Sequence, residues 1–368
     1  MKRIIKKFFR WLCIVVVVCL LLVATNHASP RSPVVKDKMQ GIWMTNVATA
    51  FLHHTTFLDE ILHHLSLSGY DRVYFSVYGL TGTLYPTSHS STHFLLRPPL
   101  TNPLKAAVQE SRRQGLKPYA WFEYGMMLHP ENSIAEKHPD WLLKTVEGET
   151  VEDGNVWLDP THPEVQEYIL GHIDDILKIK GLEGIQLDDH WAVPKTFGNS
   201  NQRQALTSLT KKVYSYIKAK NPQMVVSVSP NPYNFAVSKY NQDWLWWVKQ
   251  GIVDEVVLQV YRPTPEAVVA SLSNSGIYTA SDYVPVGVGI SATWNVVPFS
   301  LNTVQKQVAA VKQQGYGYSI FSWEYLVLRR LRSMGKVTYQ KFTEKFWFKA
   351  SPFKGIINKN FPSSQSYP

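Results

Sequence analysis

From Gly41 onward, short apolar runs alternate with helical patterns eight times, and no other feature of the sequence constrains the fold as tightly. Strands are expected at 41–47, 73–78, 118–124, 185–188, 225–229, 255–261, 286–290 and 317–323. Helices are expected at 57–67, 103–114, 163–178, 202–220, 243–249, 265–272 and 303–314. Pro163 suits a first helical turn, and Asn221-Pro222, Gly251 and Gly315 act as stops. The strands are apolar with no hairpin turn signal between them, as expected of a parallel sheet covered by helices. Eight β-then-α units predict an α/β fold of the closed (β/α)8, or TIM, barrel type, which takes roughly 250 to 300 residues. An open doubly wound sheet is disfavoured, because no glycine-rich dinucleotide fingerprint follows the first strand.

The ends of the chain have a different character. Lys2, Arg3, Lys6, Lys7 and Arg10 precede an unbroken apolar run from Trp11 to Ala24, and Asn26, Ala28, Ser29 and Pro30 follow it. A basic start, a short apolar stretch and a small-residue exit describe a secretory signal. A retained membrane anchor is the alternative, since Asn26-His27-Ala28 makes a poor cleavage site. In both cases the remainder should be exported to the periplasm or cell surface. The organisation expected is signal or anchor at 1–28, linker at 29–37, barrel at 38–331 and a basic aromatic tail at 332–368. Cys13 and Cys19 both lie within the apolar run, so the exported part has neither a disulfide nor a thiolate metal site.

The formal charge of +10 is unevenly spread. The first ten residues carry +5, and residues 325–368 carry nine Lys/Arg against Glu344 alone. Subtracting both from +10 leaves a body of −3. A mildly acidic body with basic ends argues against a nucleic-acid partner. The basic ends suit either an anionic envelope surface or simple solvation.

In a barrel the chemistry lies at the C-terminal strand ends. Strand four ends Gln186-Leu187-Asp188-Asp189-His190. Alternation turns Ile185 and Leu187 toward the helices and Gln186 and Asp188 toward the barrel axis. Adjacent carboxylates raise each other's proton affinity, and glycosidic cleavage needs one protonated and one ionised acid. Asp188 and Asp189 are therefore the catalytic candidates, with Glu324 after strand eight as a partner and Glu123 of strand three as its rival. A helix cap or a structural ion pair is the alternative role for each. Trp43, Trp121, Glu123, His190, Gln259, Tyr261, Arg262 and Trp323 are the substrate-binding candidates, through ring stacking and hydrogen bonds to sugar hydroxyls. Asn46 on strand one and Ser229-Pro230-Asn231 on strand five also fall at strand ends. Most of the 12 Trp and 19 Tyr are assigned to core packing.

Five motifs in order resemble one family: Gly41-Ile42-Trp43-Met44-Thr45, Tyr119-Ala120-Trp121-Phe122-Glu123, Trp157-Leu158-Asp159-Pro160 leading to Pro163-Glu164-Val165, Gly184-Ile185-Gln186-Leu187-Asp188-Asp189, and Gln259-Val260-Tyr261-Arg262. Together they resemble the glycosyl-hydrolase-like family 10, formerly domain of unknown function 187, from about Lys38 to Leu331. The resemblance implies a TIM barrel acting on envelope polysaccharide, often amino-sugar polymers or peptidoglycan. It also implies export, often with a membrane or lipid anchor, and puts Asp188 and Asp189 on the family's acidic pair. His190 stands where an aromatic is usual, and Leu258 replaces a usual Pro.

The expected activity is glycosidic hydrolysis of a polysaccharide without cofactor or metal. Two other classes compete with it. His89 and His93 with Asp188 and Asp189 superficially resemble the metal site of a polysaccharide deacetylase, although the order along the chain is reversed. His53-His54 and His63-His64 read as loop and helix-surface residues. A non-catalytic glycan-binding envelope protein would keep the barrel and its aromatics without a working acid pair.

Overall fold

The computed structural model describes residues 2–25, 28–79, 82–90, 92, 96, 101–198, 200–294 and 297–327. Eight parallel strands close a barrel: β1 (Gln40–Met44), β2 (Arg72–Ser76), β3 (Lys117–Phe122), β4 (Gly184–Asp188), β5 (Val225–Ser229), β6 (Glu255–Gln259), β7 (Val286–Ser291) and β8 (Gly317–Phe321). Each strand pairs with its sequence neighbours, and β1 closes on β8 with Gly41 opposite Ser319.

The two faces of each strand have different partners. Ile42, Val73, Phe75, Ile185, Leu187, Val226, Val228, Val256 and Leu258 join the main core between barrel and helices. The alternate residues Trp43, Tyr74, Tyr119, Trp121 and Val257 form a second cluster inside the barrel. Gln186 shares this interior, accepting from Trp43 Nε1 at 2.7 Å and donating to Ser227 Oγ at 3.1 Å. Ser227 and Tyr74 hydroxyls each donate to Glu255 at 3.0 Å, and Arg72 pairs with the same carboxylate. Gln186, Ser227, Tyr74, Arg72 and Glu255 thus satisfy one another, which avoids a desolvation cost of about 1–3 kcal/mol per orphan. Gly289 of β7 makes room for Trp43, since a Cβ there would sit 3.0 Å from the indole Cη2.

Several boundaries differ from expectation. β1 stops at Met44 because Thr45 turns its hydroxyl to accept from Ala48 N, capping a helix at Asn46–His54. Asn46 and the His53-His54 pair are therefore helical. A second helix, Leu58–Leu67, follows, and its His64 is buried, not on the surface. β8 ends at Phe321, and Trp323 begins a helical turn packed in the main core. Helices Tyr233–Tyr240 and Ile277–Ser281 lie in stretches read as connections.

The loop after β3 carries a three-stranded antiparallel sheet of Met127–Leu128, Asn155–Trp157 and Val151–Glu152. It contains a hairpin turn of the kind not expected. Asp153 and Gly154 lie at φ +52° and +74° between paired Glu152 and Asn155, a two-residue turn in left-handed conformation.

The 29–37 segment lies against the barrel helices instead of standing free. Arg31 N donates to Arg113 O and Val34 N to Gly115 O, each at 2.9 Å. Ala28 N donates to Asp59 Oδ2 at 3.0 Å. The N-terminal segment forms a helix, Lys2–Thr25. Among the described residues, no helix is long and apolar enough to cross a membrane. The tail from 328 and His93 lie outside the described residues.

Candidate active site at the barrel mouth

Asp188 is the last residue of β4 and points into the mouth, as alternation required. Its Oδ1 accepts from Ser229 Oγ of β5 and Gln259 Nε2 of β6, both at 2.7 Å. Two neighbouring strands thus fix one oxygen, and Oδ2 faces His190 Nδ1 at 3.5 Å. Asp189 follows where the strand leaves the barrel. Its Oδ2 accepts from Asn231 Nδ2 at 2.8 Å and its Oδ1 lies 3.6 Å from His190 Nδ1. The Asp188 side chain is 4% exposed and that of Asp189 21%. Asp189 is therefore the more accessible acid, and Asp188 the more tightly held. Gln242 Nε2 braces the turn by donating to the carbonyls of Asp188 and Trp191, each at 3.0 Å.

His190 links this pair to β3. Its Nδ1 donates to the Glu123 carbonyl at 3.0 Å, and its ring stacks on Tyr124 at 5.5 Å and 16°. Gly125 allows this approach. It sits at φ +53°, and a Cβ would fall 2.9 Å from the His190 carbonyl and from Trp191 N. Met126 N then donates to that same carbonyl at 3.0 Å.

The electrostatics follow from this crowding. Burial would lower the His190 pKa, but Asp189, Asp188 and the Glu123 carbonyl outweigh it and hold it up to about 10. Burial raises Asp189 to about 7, with Asp188 adding to the rise and His190 and Asn231 opposing it. Burial likewise raises Glu123 to about 7, although its Oε2 accepts from Ser76 Oγ at 2.6 Å. Glu324 is raised by burial, against hydrogen bonds from Thr45 N at 2.7 Å and Thr45 Oγ1 at 2.9 Å. The mouth therefore has acids that hold protons near neutral pH beside an imidazolium, a setting suited to acid–base work.

The other sequence candidates are divided. Gln259 joins Asp188, and Glu123 and His190 face the same mouth. Tyr261 stacks on Phe321, the last residue of β8, at 5.5 Å and 20°. Arg262 Nη1 donates to the Tyr261 carbonyl at 2.8 Å. Trp43 and Trp121, 1% and 2% exposed, pack inside the barrel, and Trp323 belongs to the outer core. None of these three offers an open ring face to a sugar, which corrects their assignment as platforms. Ser76, Thr45, Tyr124 and Gln242 were not among the candidates. Ser229 and Asn231 carried a signal, their place at the end of β5.

Asp188, Asp189 and His190 offer ligand atoms within 4.8 Å of one another, a spacing a metal ion also accepts. The Glu123 carbonyl can only accept a hydrogen bond, so Nδ1 carries the proton and is not a free ligand. His89 does not join them. Its Nε2 lies 3.9 Å from Asp175 and its ring 5.5 Å from His172, so the geometry of a deacetylase is not assembled among the described residues.

The chain matches the family described as glycosyl hydrolase-like 10 over residues 38–208 and 202–307. Glycosyl hydrolase DigH of Escherichia coli strain K12 is 24% identical over 335 residues, spanning 68% of this chain and 74% of that protein. Glycosyl hydrolase YngK of Bacillus subtilis strain 168 is 23% identical over 236 residues, 52% of this chain and 44% of that protein. The glycoside hydrolase domain of PgaB (BpsB) from Bordetella bronchiseptica superposes with a TM-score of 0.62 at 14% identity, covering 81% of this chain and 98% of that domain. The GH36 α-galactosidase AgaA of Geobacillus stearothermophilus superposes at 0.53 and 15% identity, covering 85% of this chain and 44% of that enzyme. The structural likenesses bear on the fold, a glycoside hydrolase barrel. The family match extends over most of the sequence, and the chain belongs to the glycosyl hydrolase-like 10 family.

Proposed function

We propose that this protein is an exported glycosidase that cleaves an envelope or extracellular polysaccharide, an amino-sugar polymer or peptidoglycan, with Asp189 as the proton donor. The observation that carries the reading is the asymmetry of the acid pair. Asp189 is the more exposed and holds its proton to about pH 7, whereas two side chains fix one oxygen of Asp188.

The pair cannot itself flank a glycosidic bond. Its ligand oxygens lie within 4.8 Å, closer than the roughly 5–5.5 Å or 6.5–9.5 Å that two opposed carboxylates need. This favours substrate assistance. Asp188 Oδ2 accepts from the acetamido N–H and orients it, and the acetamido oxygen bonds to the anomeric carbon. The C–O bond to the leaving sugar breaks as Asp189 passes its proton to that oxygen. Water then opens the cyclic intermediate, returning its proton to Asp189. Glu123 or Glu324 would instead serve as the second carboxylate if the substrate lacked an acetamido group.

Digestion of peptidoglycan and of an N-acetylated amino-sugar polymer, followed by mass spectrometry, tests this proposal. Shortened oligosaccharides with acetyl groups retained are expected. Acetate release without shortening would overturn it in favour of a deacetylase, and binding of the polymer without any product in favour of a glycan-binding protein.

A further inference from the structure

A cleft of about 440 Å³ opens beside the mouth, between the paired strands Tyr78–Gly79 and Gly82–Thr83 and the loop after β3. We propose that it is a glycosyl subsite that takes an uncharged or amino-bearing sugar residue of the polymer and rejects an anionic one. The proposal rests on the hydrolase reading of the adjoining acid pair.

Position is the first argument. Tyr124 lines the cleft and stacks on His190, whose Nδ1 lies 3.6 Å from Asp189. Two stacked side chains, Tyr124 and His190, thus stand between the cleft and the proton donor, so a polymer reaching Asp189 would place a neighbouring sugar here. The volume falls within the roughly 300–1,000 Å³ of small-molecule sites.

The second argument is the hydrogen-bonding character of the wall. His129 Nδ1 accepts from Glu131 N at 3.2 Å, which leaves Nε2 to carry the proton and donate. Asn132 Oδ1 caps the short helix Ser133–Lys137 by accepting from Ile134 N at 2.9 Å, which leaves its NH2 to donate. The Glu131 carboxylate accepts only. Two donors, one strong acceptor and an aromatic ring match the hydroxyls and apolar face of a pyranose.

Charge supplies the selectivity. Among the described residues lining the cleft there is no Lys or Arg, and Glu131 is the one carboxylate. A uronate or lactyl carboxylate would face Glu131 with no Lys or Arg in the lining to offset it, whereas an ammonium or a neutral hydroxyl finds an acceptor.

Calorimetric binding to the full-length Asp188→Asn protein tests this, with chitotetraose, its fully de-N-acetylated counterpart and tetragalacturonate as probes. The first two should bind, and tetragalacturonate at least roughly tenfold more weakly. Glu131→Gln should weaken chitotetraose binding roughly tenfold, as loss of a hydrogen bond to a charged group does. Asn132→Asp keeps the capping oxygen but loses the amide donor, and should weaken it likewise. Unchanged binding in both variants, a preference for tetragalacturonate, or no binding of any probe would overturn the subsite. Intact probes after incubation with the wild type, alongside the expected binding pattern, would count against the hydrolase reading and leave the subsite standing.

Discussion

Replacing His190 by Asn removes the cation between the two acids and keeps a donor near the position of Nδ1. Unit charges 3.6 Å apart interact by about 1 kcal/mol in bulk water and by about 4–5 kcal/mol at an effective dielectric of 20. His190 is 34% exposed, so solvent screening holds the value to roughly 1–3 kcal/mol. At 1.36 kcal/mol per pH unit, the Asp189 carboxyl should titrate about one to two units higher than its wild-type value of about 7. The sign is fixed, because a lost positive neighbour can only make the carboxylate harder to form. Carbon-13 NMR of labelled Asp carboxyls, assigned with Asp189→Asn, reads this midpoint directly. The alkaline limb of kcat/KM should move with it. An unchanged or lower midpoint in His190→Asn would refute the reasoning.

Glu123 tests the linkage in stability. Its carboxyl is raised from 4.5 to about 7, so the folded state binds the proton more tightly and stability falls as pH rises through that window. Glu123→Gln cannot ionise and should gain roughly 1–3 kcal/mol relative to wild type between pH 4.5 and pH 8 in urea unfolding; an equal difference at both pH values would contradict this. Ser229→Ala leaves Asp188 Oδ1 with one donor of two, and kcat/KM should fall about 10- to 100-fold with no change in the far-UV spectrum. Gly289→Ala forces a Cβ to 3.0 Å from Trp43, and should cost about 1–3 kcal/mol in urea unfolding.

The barrel was legible because its strands are buried on both faces and so read as continuous apolar runs, separated by helices with clear starts and stops. Where one residue switches the backbone, the pattern gave no warning. Thr45 ends β1 and caps a helix, and apolar content alone continues the strand to Val47. The Asp153-Gly154 turn was readable, but sits in a loop without flanking apolar strands long enough to flag it. At the site, alternation correctly sent Gln186 and Asp188 inward. Trp43 also points inward, but it stands one residue short of the end of β1 and is buried in the interior cluster, where only a residue past the last layer would meet solvent. The partners that shape the acids, Ser229 and Gln259 on neighbouring strands and Tyr124 across the mouth, come from register and loop approach, which no single strand encodes.

The role of Asp189 is tested most directly by comparing kcat for Asp189→Asn and wild type on two substrates. One is an N-acetylated oligosaccharide, whose leaving sugar needs a proton, and the other a 4-nitrophenyl glycoside of the same sugar, whose leaving group does not. General acid catalysis contributes about 10²–10⁴-fold, so a loss of that size is expected on the oligosaccharide and a loss under about tenfold on the nitrophenyl glycoside. Equal losses on both, or full activity on the oligosaccharide, would contradict Asp189 as the proton donor.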